Sequence, residues 1–258
     1  MVDLLPEFPA FLLIFVRVTS FFLMMPLFSY RTIPASHKIG LGFFLAWIMF
    51  YTVEAPLFEI NGAYFLLIMK EALVGILVGF IAYLILSAIQ IAGGFIDFQM
   101  GFAIANVIDP QTGAQSPLTG QYFYIITLLF LLSVNGHHLL IDGVYYSYQF
   151  IPIDQAWIPF GDENMVEYVV KSFSSMFMVA LQMAIPVVGS LFLVDVALGI
   201  VARTVPQLNV FVVGLPLKIG VSFIVIFAVM AIMMGVVSQL FELMLGTMRG
   251  LMDLIGSS

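Results

Sequence analysis

Long apolar runs separated by short polar segments constrain this chain more than any other feature. Runs near spanning length cover residues 8–29, 63–96, 121–134 with its extension, 176–202 and 208–245, and residues 39–53 form a shorter one. A helix needs about 20 mostly apolar residues to cross a bilayer. Only 9% of the residues are charged, against about 25% in a soluble domain. The sequence therefore predicts an all-α, polytopic membrane protein with five or six spans.

The composition also excludes several classes of function. The chain has no cysteine, so disulfides and thiolate metal sites are excluded. The net charge is −7 without a basic patch, and nucleic acid is not an expected partner. The N-terminal sequence MVDLLPEFPAFLLIF lacks the basic segment and small-residue cleavage site of a signal peptide. We therefore expect a retained first helix.

The charges of the first two loops predict the orientation of the chain. The loop over residues 29–38 contains Arg31, His37 and Lys38, whereas the next loop contains Glu54 and Glu59 and no base. Cytoplasmic loops collect Lys and Arg. The basic loop is therefore predicted to be cytoplasmic and the acidic one external, which places the N-terminus outside.

The longest runs are too long for straight, upright spans. As one α-helix, residues 63–96 would measure about 50 Å, against a hydrocarbon core of about 30 Å. Pro26 should bend or end the first helix, and Pro186 should kink a later one. Gly75 and Gly79 have the small-xxx-small spacing that allows close helix contact. Long kinked helical hairpins are therefore expected.

Polar or ionisable side chains interrupt the apolar runs. They are Arg17, Lys70, Glu71, Gln90, Asp97 and Asp195. A charge at membrane depth is costly and normally faces protein or water. We expect these groups to be buried against neighbouring subunits around a wet axis. For Arg17, snorkelling or pairing with an acid of another helix is the alternative.

Two polar stripes recur at helical spacing. The first comprises Gln90, Gly93, Gly94, Asp97 and Gly101, and the second Gly235, Gln239, Glu242, Gly246, Arg249 and Asp253. The first fits either plain helix packing or the wall of a polar conduit. The second fits an interfacial amphipathic helix or a helix that faces a wet lumen in an assembly.

His137, His138 and Asp142 form the densest group of possible metal ligands. Adjacent helical residues point about 100° apart, and a third and fourth ligand are not evident. We predict structural hydrogen bonding and no metal or other cofactor, although His138 could pair with Asp142. An intramembrane enzyme that uses these residues is a weak alternative, because no nucleophile lies at a recognisable spacing. The aromatic residues from Tyr145 to Phe150 are typical of an interfacial belt.

Three segments rich in proline and polar residues separate the helices. ANVIDPQTGAQSPLTGQ, residues 105–121, predicts a loop, either at the surface or re-entrant where protein or a cavity surrounds it. The other two segments are RTIPASHKIG, residues 31–40, and RTVPQLNVFVVGLPLKIG, residues 203–220. Both begin with Arg-Thr, then Ile or Val, then Pro, and both end with Lys-Ile-Gly. They indicate two hairpins on the Lys- and Arg-rich side, or a chance similarity.

These motifs together resemble one family. RTVPQLNVFVVGLPLKIG is similar to the signature of the FliR/SctT export-gate proteins of flagellar and virulence systems. RVTSFFLMMPLFSYRTIPASHKIGL, GGFIDFQMGFAIANVIDPQTG and NGHHLLIDGVYYSYQFIPI follow that family's order and spacing. The resemblance covers essentially the whole chain.

The resemblance implies a non-enzymatic part of a type III secretion gate in the bacterial cytoplasmic membrane, at the flagellar basal body. Its expected partners are FliP and FliQ, further FlhB and FlhA, lipid, and the unfolded proteins that pass through the pore. Residues 1–168 would be FliP-like, and residues 169–258 would form a FliQ-like hairpin.

The resemblance also implies two sets of site residues. A plug of the closed pore would lie in the loop over residues 105–121, with Asn106, Asp109, Pro110, Gln111 and Gly113. The cytoplasmic entrance would be shaped by Arg203, Pro206, Gln207, Asn209 and Lys218. A virulence-system component and a small-solute transporter are the alternatives, the latter because transporters use broken helices and charges near the midplane.

Overall fold

A computed structural model describes residues 4–29, 33–102, 117–155, 163–207 and 209–256. Within these ranges every regular element is helical. The helices are α1 (Leu4–Met24), α2 (Ala35–Phe50), α3 (Gly62–Leu86), α4 (Ala88–Met100), α5 (Leu118–Ser133), α6 (Gly136–Phe150), α7 (Glu163–Thr204) and α8 (Val210–Gly256). The predicted all-α architecture is confirmed.

Several of these helices are long and apolar enough to cross a membrane. The candidate spans are Glu7–Met24, Gly62–Met100, Glu163–Thr204 and Val212–Gly256, with a fifth if the bent pair of α5 and α6 counts as one. The polytopic prediction is confirmed, and the sixth predicted span is shorter than the others. The reason is that the run over residues 39–53 forms the 16-residue α2, which is only about 24 Å long.

Proline and glycine set the ends of two helices. α1 ends at Met24, just before Pro26, which has no N–H for a helical hydrogen bond. α4 ends in a Schellman motif, in which the Phe102 N–H donates to the Asp97 carbonyl at 2.9 Å. Gly101 occupies the left-handed position of that motif with φ of 90°, a conformation that glycine adopts without a steric penalty.

The long run that begins at residue 62 does not form one regular helix, because the helical assignment is interrupted at Ser87 between α3 and α4. By contrast, α7 remains helical through Pro186 and α8 through Pro216. α7 begins at Glu163, well before the apolar run over residues 176–202. Its first turn includes Glu163, and acidic residues are favourable at a helix N-terminus.

The chain forms two compact units. The first contains residues up to 86, 131–173 and those from 241 onward, and the second contains residues 87–130 and 174–240. These units are defined by contacts inside this chain, whereas the division at residue 168 concerns resemblance to FliP and FliQ. That division stays a prediction.

Glycines let α1 and α3 approach each other closely in the first unit. A Cβ added at Gly79 would lie 2.8 Å from the Phe21 carbonyl oxygen, and one at Gly75 would collide with the carbonyl oxygen of Arg17. The close helix contact predicted from the spacing of these two glycines is confirmed. It brings the backbone of α1 within reach of the charged residues of α3.

Candidate functional site

A bidentate ion pair lies in the core of the first unit. Arg17 of α1 donates to both carboxylate oxygens of Glu71 of α3, through Nε to Oε2 and through Nη2 to Oε1 at 2.9 Å. Both side chains are 0% exposed. Paired donors match the planar geometry of a carboxylate, and such charge-assisted bonds are among the strongest in proteins.

The remaining donors of Arg17 are also satisfied within the unit. Nη1 donates to the Ser147 hydroxyl at 3.1 Å and Nη2 to the Ile151 carbonyl at 2.9 Å. The guanidinium lies 4.0 Å from the ring centroid of Tyr148, in the range of a cation–π interaction. One side chain of α1 therefore joins α3, α6 and the segment that follows α6.

Lys70 adds a second cation to this cluster. Its ammonium pairs with Glu71 and also donates to the carbonyls of Pro152 at 3.0 Å and Ile153 at 3.2 Å. These carbonyls follow the end of α6 and so have no helical donor. We call Arg17, Lys70, Glu71, Ser147 and Tyr148 the charge cluster.

In the second unit, a buried carboxylate joins α4 to α5. Asp97 is 2% exposed and accepts hydrogen bonds from the Thr119 hydroxyl and from the Thr119 N–H at 3.2 Å. This carboxylate satisfies a first-turn N–H of α5. On the same stripe, a Cβ at Gly93 would collide with the backbone of Gly120. Asp97 and Gly93 therefore serve helix packing, and half-buried Gln90 lies on the same contact.

Asp195 also has its partners within the second unit. It pairs with Lys218, so that the ion pair joins α7 to α8, and it accepts a hydrogen bond of 2.8 Å from the Gln99 amide of α4. The Asp195 and Lys218 side chains are 36% and 20% exposed. We call Gln99, Asp195 and Lys218 the polar tie.

Five of the membrane-depth charges have partners inside this chain, and for Arg17 the alternative, pairing with an acid of another helix, is what the structure shows. Arg17, Lys70, Glu71, Asp97 and Asp195 all have hydrogen-bond or ion-pair partners in the same chain. A further role at subunit interfaces stays a prediction. Because these charges pair with one another or with polar groups, they also no longer point to a solute path. The transporter alternative thereby loses one of the two features that motivated it, the charges near the midplane.

The structure separates the predicted entrance residues into two groups. Arg203, Pro206, Gln207 and Asn209 are exposed around the tip of the α7–α8 hairpin. Asn209 accepts a hydrogen bond from the Val212 N–H at 3.3 Å and so helps to cap α8. Lys218 lies two turns into α8 and pairs with Asp195. The tip thus carries the exposed groups, and Lys218 belongs to the polar tie.

The predicted plug residues, Asn106, Asp109, Pro110, Gln111 and Gly113, lie outside the described residues. The same is true of Arg31 in the predicted cytoplasmic loop. Their proposed roles stay predictions.

In the part of the chain that the structure describes, no three His, Cys, Asp or Glu side chains lie close enough together to hold a metal ion. The rings of His137 and His138 lie 4.1 Å apart.

Among the predicted belt residues, Tyr148 is buried beneath Arg17. Its assignment to an interfacial belt is therefore wrong.

The end of α8 is amphipathic. Its buried face carries residues such as Met244, Met248 and Leu251. The second predicted stripe, Gly235, Gln239, Glu242, Gly246, Arg249 and Asp253, is exposed. This polar face agrees with either predicted setting, a membrane interface or a wet lumen.

A family comparison decides what kind of chain carries these features. The model of the bacterial export proteins, family 1, matches residues 8–244. The chain belongs to this family. The predicted resemblance to FliR proteins is thereby confirmed, and the description of the family names export rather than a catalysed reaction.

Individual relatives agree with the family assignment. Flagellar biosynthetic protein FliR of Bacillus subtilis (strain 168) is 61% identical over 252 residues, which cover 97% of each chain. Flagellar biosynthetic protein FliR of Escherichia coli (strain K12) is 28% identical over 229 residues, 88% of this chain and 86% of its own. Yop proteins translocation protein T of Yersinia pestis is 30% identical over 157 residues, 61% of this chain and 60% of its own.

Sequence reasoning about this export protein missed the partners of its charged residues. Arg17 and Glu71 are 54 positions apart, and Gln99 and Asp195 are 96 apart. One signal was available in the sequence. Every cation inside an apolar run can be matched with an acidic residue inside one of those runs. Charge balance could have suggested pairing inside the chain, but not which groups pair.

Proposed function

We propose that the chain is a non-enzymatic component of the flagellar type III secretion gate in the bacterial cytoplasmic membrane. It would form, with FliP and FliQ, the pore through which unfolded flagellar proteins leave the cytoplasm. The carrying observation is the 61% identity to Flagellar biosynthetic protein FliR over 97% of both chains. A virulence system is less well supported, because the Yop translocation protein matches only 61% of this chain.

The long helices support membership of an assembly in the membrane. In both α7 and α8, only 17% of an apolar stretch of 18 residues is buried inside the chain. The corresponding stretch in Gly62–Met100 is 61% buried. Helices of 42 and 47 residues measure about 63 and 70 Å. They exceed the bilayer core and present apolar surface that lipid and other subunits such as FliP and FliQ would cover.

Within this gate we assign three further roles. The N-terminus would lie outside and both basic hairpins would face the cytoplasm, an orientation that requires α2 to cross the membrane together with the five longer spans. The exposed tip residues Arg203, Gln207 and Asn209 would shape the entrance. The predicted loop over residues 105–121 would plug the closed pore as far as residue 117, because its last four residues belong to the first turn of α5. The Asp97–Thr119 hydrogen bonds would anchor the loop there.

Replacement of the relative in Bacillus subtilis tests the flagellar assignment. Cells that lack their own FliR and express this chain should regain swimming and export flagellar proteins into the medium. The high identity over the full length should preserve contacts with the host subunits. Swimming diameter and immunoblots of the medium measure the result. Cells that carry the host gene are the positive control, and cells with an empty vector are the negative control.

The decisive comparison uses cells in which the chain accumulates in the membrane at the level of the host protein. Failure of export in those cells would contradict the proposed function. Restored export would support the flagellar assignment over the virulence one.

Deletion of residues 106–116, which leaves Thr119 and Gly120 of α5 in place, tests the plug. If these residues seal the closed pore, their loss should let ions or small dyes cross the membrane of cells that also express FliP and FliQ, whereas the intact chain should stay at background. Dye uptake and membrane potential provide the measurements. A control replaces the same residues by a Gly/Ser linker of equal length and should also leak, because the seal depends on packing of the native side chains. A tight membrane in the deletion variant would overturn the plug role.

A further inference from the structure

The polar tie holds three helices of the second unit together at one carboxylate. Asp195 of α7 accepts from the Lys218 ammonium of α8 and, at 2.8 Å, from the Gln99 amide of α4. A buried or half-buried carboxylate with two donors from different helices restricts all three, since each bond depends on direction as well as distance.

The position of the polar tie along the hairpin gives it leverage. Asp195 lies nine residues before the end of α7, and Lys218 lies eight residues after the start of α8. Both are therefore about 13 Å from the tip along their helices. The tip carries Arg203 and Gln207, which are exposed. A rotation of the hairpin about the polar tie would move these groups.

Packing between the hairpin arms near the tip is incomplete. A cavity of about 380 Å³ lies between α7 and α8, with Asp195, Lys218, Gly199 and Gly214 in its lining. The arms do touch at Gly214, where Leu198 Cδ1 lies 3.1 Å from the position of an added Cβ. Since close packing normally fixes the relative position of two helices, a gap here leaves more of that task to directional polar contacts.

Apolar contacts of α4 with the hairpin lie on either side of Gln99 along α4. A Leu215 methyl lies 2.7 Å from the position of a Cβ at Gly101, and the rings of Phe95 and Phe177 are 6.0 Å apart. These apolar contacts permit sliding, because dispersion forces have little directionality. The Asp195–Lys218 ion pair and the hydrogen bond from the Gln99 amide fix the position of the hairpin along α4.

We infer that Asp195, held by Lys218 and Gln99, is the positioning residue that fixes the α7–α8 hairpin, and with it the entrance tip, on α4. The inference deepens the proposed function, since it names what places the entrance. Lys218 acts at this site through the ion pair, and the tip residues act at the entrance itself.

Distance measurements between two spin labels test the positioning directly. The chain has no cysteine, so Phe98→Cys on α4 and Val213→Cys on α8 can be labelled selectively. Their native side chains are 75% and 47% exposed. With the full chain in lipid nanodiscs, double electron–electron resonance should give one narrow distance distribution. Asp195→Asn, Lys218→Met and Gln99→Leu should each broaden it or add a second distance.

Two further variants separate positioning from folding. The double variant Asp195→Asn with Lys218→Met leaves no unpaired charge and should fold, yet its distribution should stay broad because the ion pair is gone and only a neutral hydrogen bond with the Gln99 amide can remain. Lys218→Arg keeps the cation and should stay narrow, as should Asp253→Asn at an exposed site of α8. A narrow distribution in the double variant would overturn the inference.

Export in Bacillus subtilis gives a readout that separates the two proposals. If the intact chain supports swimming, the double variant should be present in the membrane and export much less. Swimming at the normal level by the double variant would contradict the positioning role while the flagellar function stands. If the intact chain does not support export, the proposed function falls, and the label distances alone decide the role of Asp195.

Discussion

Glu71→Gln should prevent stable accumulation of the chain. The substitution keeps the size of the side chain but leaves Arg17 and Lys70 without their shared carboxylate, in a core where both are nearly or fully buried. It also turns an amide N–H₂ toward donors. Removal of one partner from a buried ion pair typically costs about 3–5 kcal/mol, a large part of the stability of an ordinary domain.

The level of the chain in the membrane fraction and its thermal midpoint in detergent measure this effect. A matched control is Glu167→Gln, which makes the same chemical change in the exposed pair with Lys171, where the side chains are 58% and 72% exposed. Exposed pairs contribute little because water and salt screen them, so the control should behave like the unchanged chain. Equal behaviour of the two glutamine variants would contradict a structural role for the charge cluster.

A triple variant shows whether the damage comes from unpaired charge. Arg17→Met, Lys70→Met and Glu71→Met together remove every charge of the charge cluster. Apolar replacement of a whole buried ion pair is often neutral or even stabilising. The triple variant should therefore be more stable than Glu71→Gln alone, although the carbonyls of Ile151 and Ile153 lose their donors. A triple variant as unstable as the single one would show that shape, not charge, decides.

The sequence was informative where local chemistry decides the structure. Pro26 predicts the end of α1 because proline lacks an N–H, and the spacing of Gly75 and Gly79 predicts close helix contact because it leaves a smooth surface. Apolar length predicts the long helices of both units. The start of α7 at Glu163 escaped prediction, since an acidic first turn resembles a loop in composition.

The partners of the membrane-depth charges could not be predicted, because they depend on how helices distant in sequence pack. Arg17 uses Ser147 and the Ile151 carbonyl, at separations of 130 and 134 residues. A carbonyl carries no signal in the sequence, since every residue has one. The general cost of an exposed charge led to the expectation of outside partners, whereas the helix ends of the same chain supplied them.

This internal pairing changes what supports assembly into a gate. A chain that satisfies its own charges can insert and fold before it meets other subunits. The need for partners then rests on the apolar faces of α7 and α8 and on the exposed polar end of α8. Assembly would thus be driven by surface shape and apolar contact, while the charge cluster and the polar tie set the internal register.

Gly93→Ala should destabilise the second unit, whereas Gly94→Ala should not. A Cβ at Gly93 would collide with the backbone of Gly120 and lie 3.0 Å from the Thr119 carbonyl carbon. Backbone cannot yield as a flexible side chain can, so α4 and α5 must move apart. Overpacking of this kind typically costs about 1–3 kcal/mol, and here it also strains the Asp97–Thr119 hydrogen bonds one turn away.

The neighbouring glycine provides a control of opposite sign. At Gly94 the nearest atom to an added Cβ is Pro117 Cγ at 3.5 Å, an ordinary van der Waals contact. Alanine in a helix interior is about 1 kcal/mol more favourable than glycine, so Gly94→Ala should be neutral or stabilising. Thermal midpoints of the two variants in the same detergent should therefore move apart. If Gly93→Ala were as neutral or stabilising as Gly94→Ala, the first polar stripe would not be a packing surface, and the polar-conduit hypothesis for that stripe would regain its support.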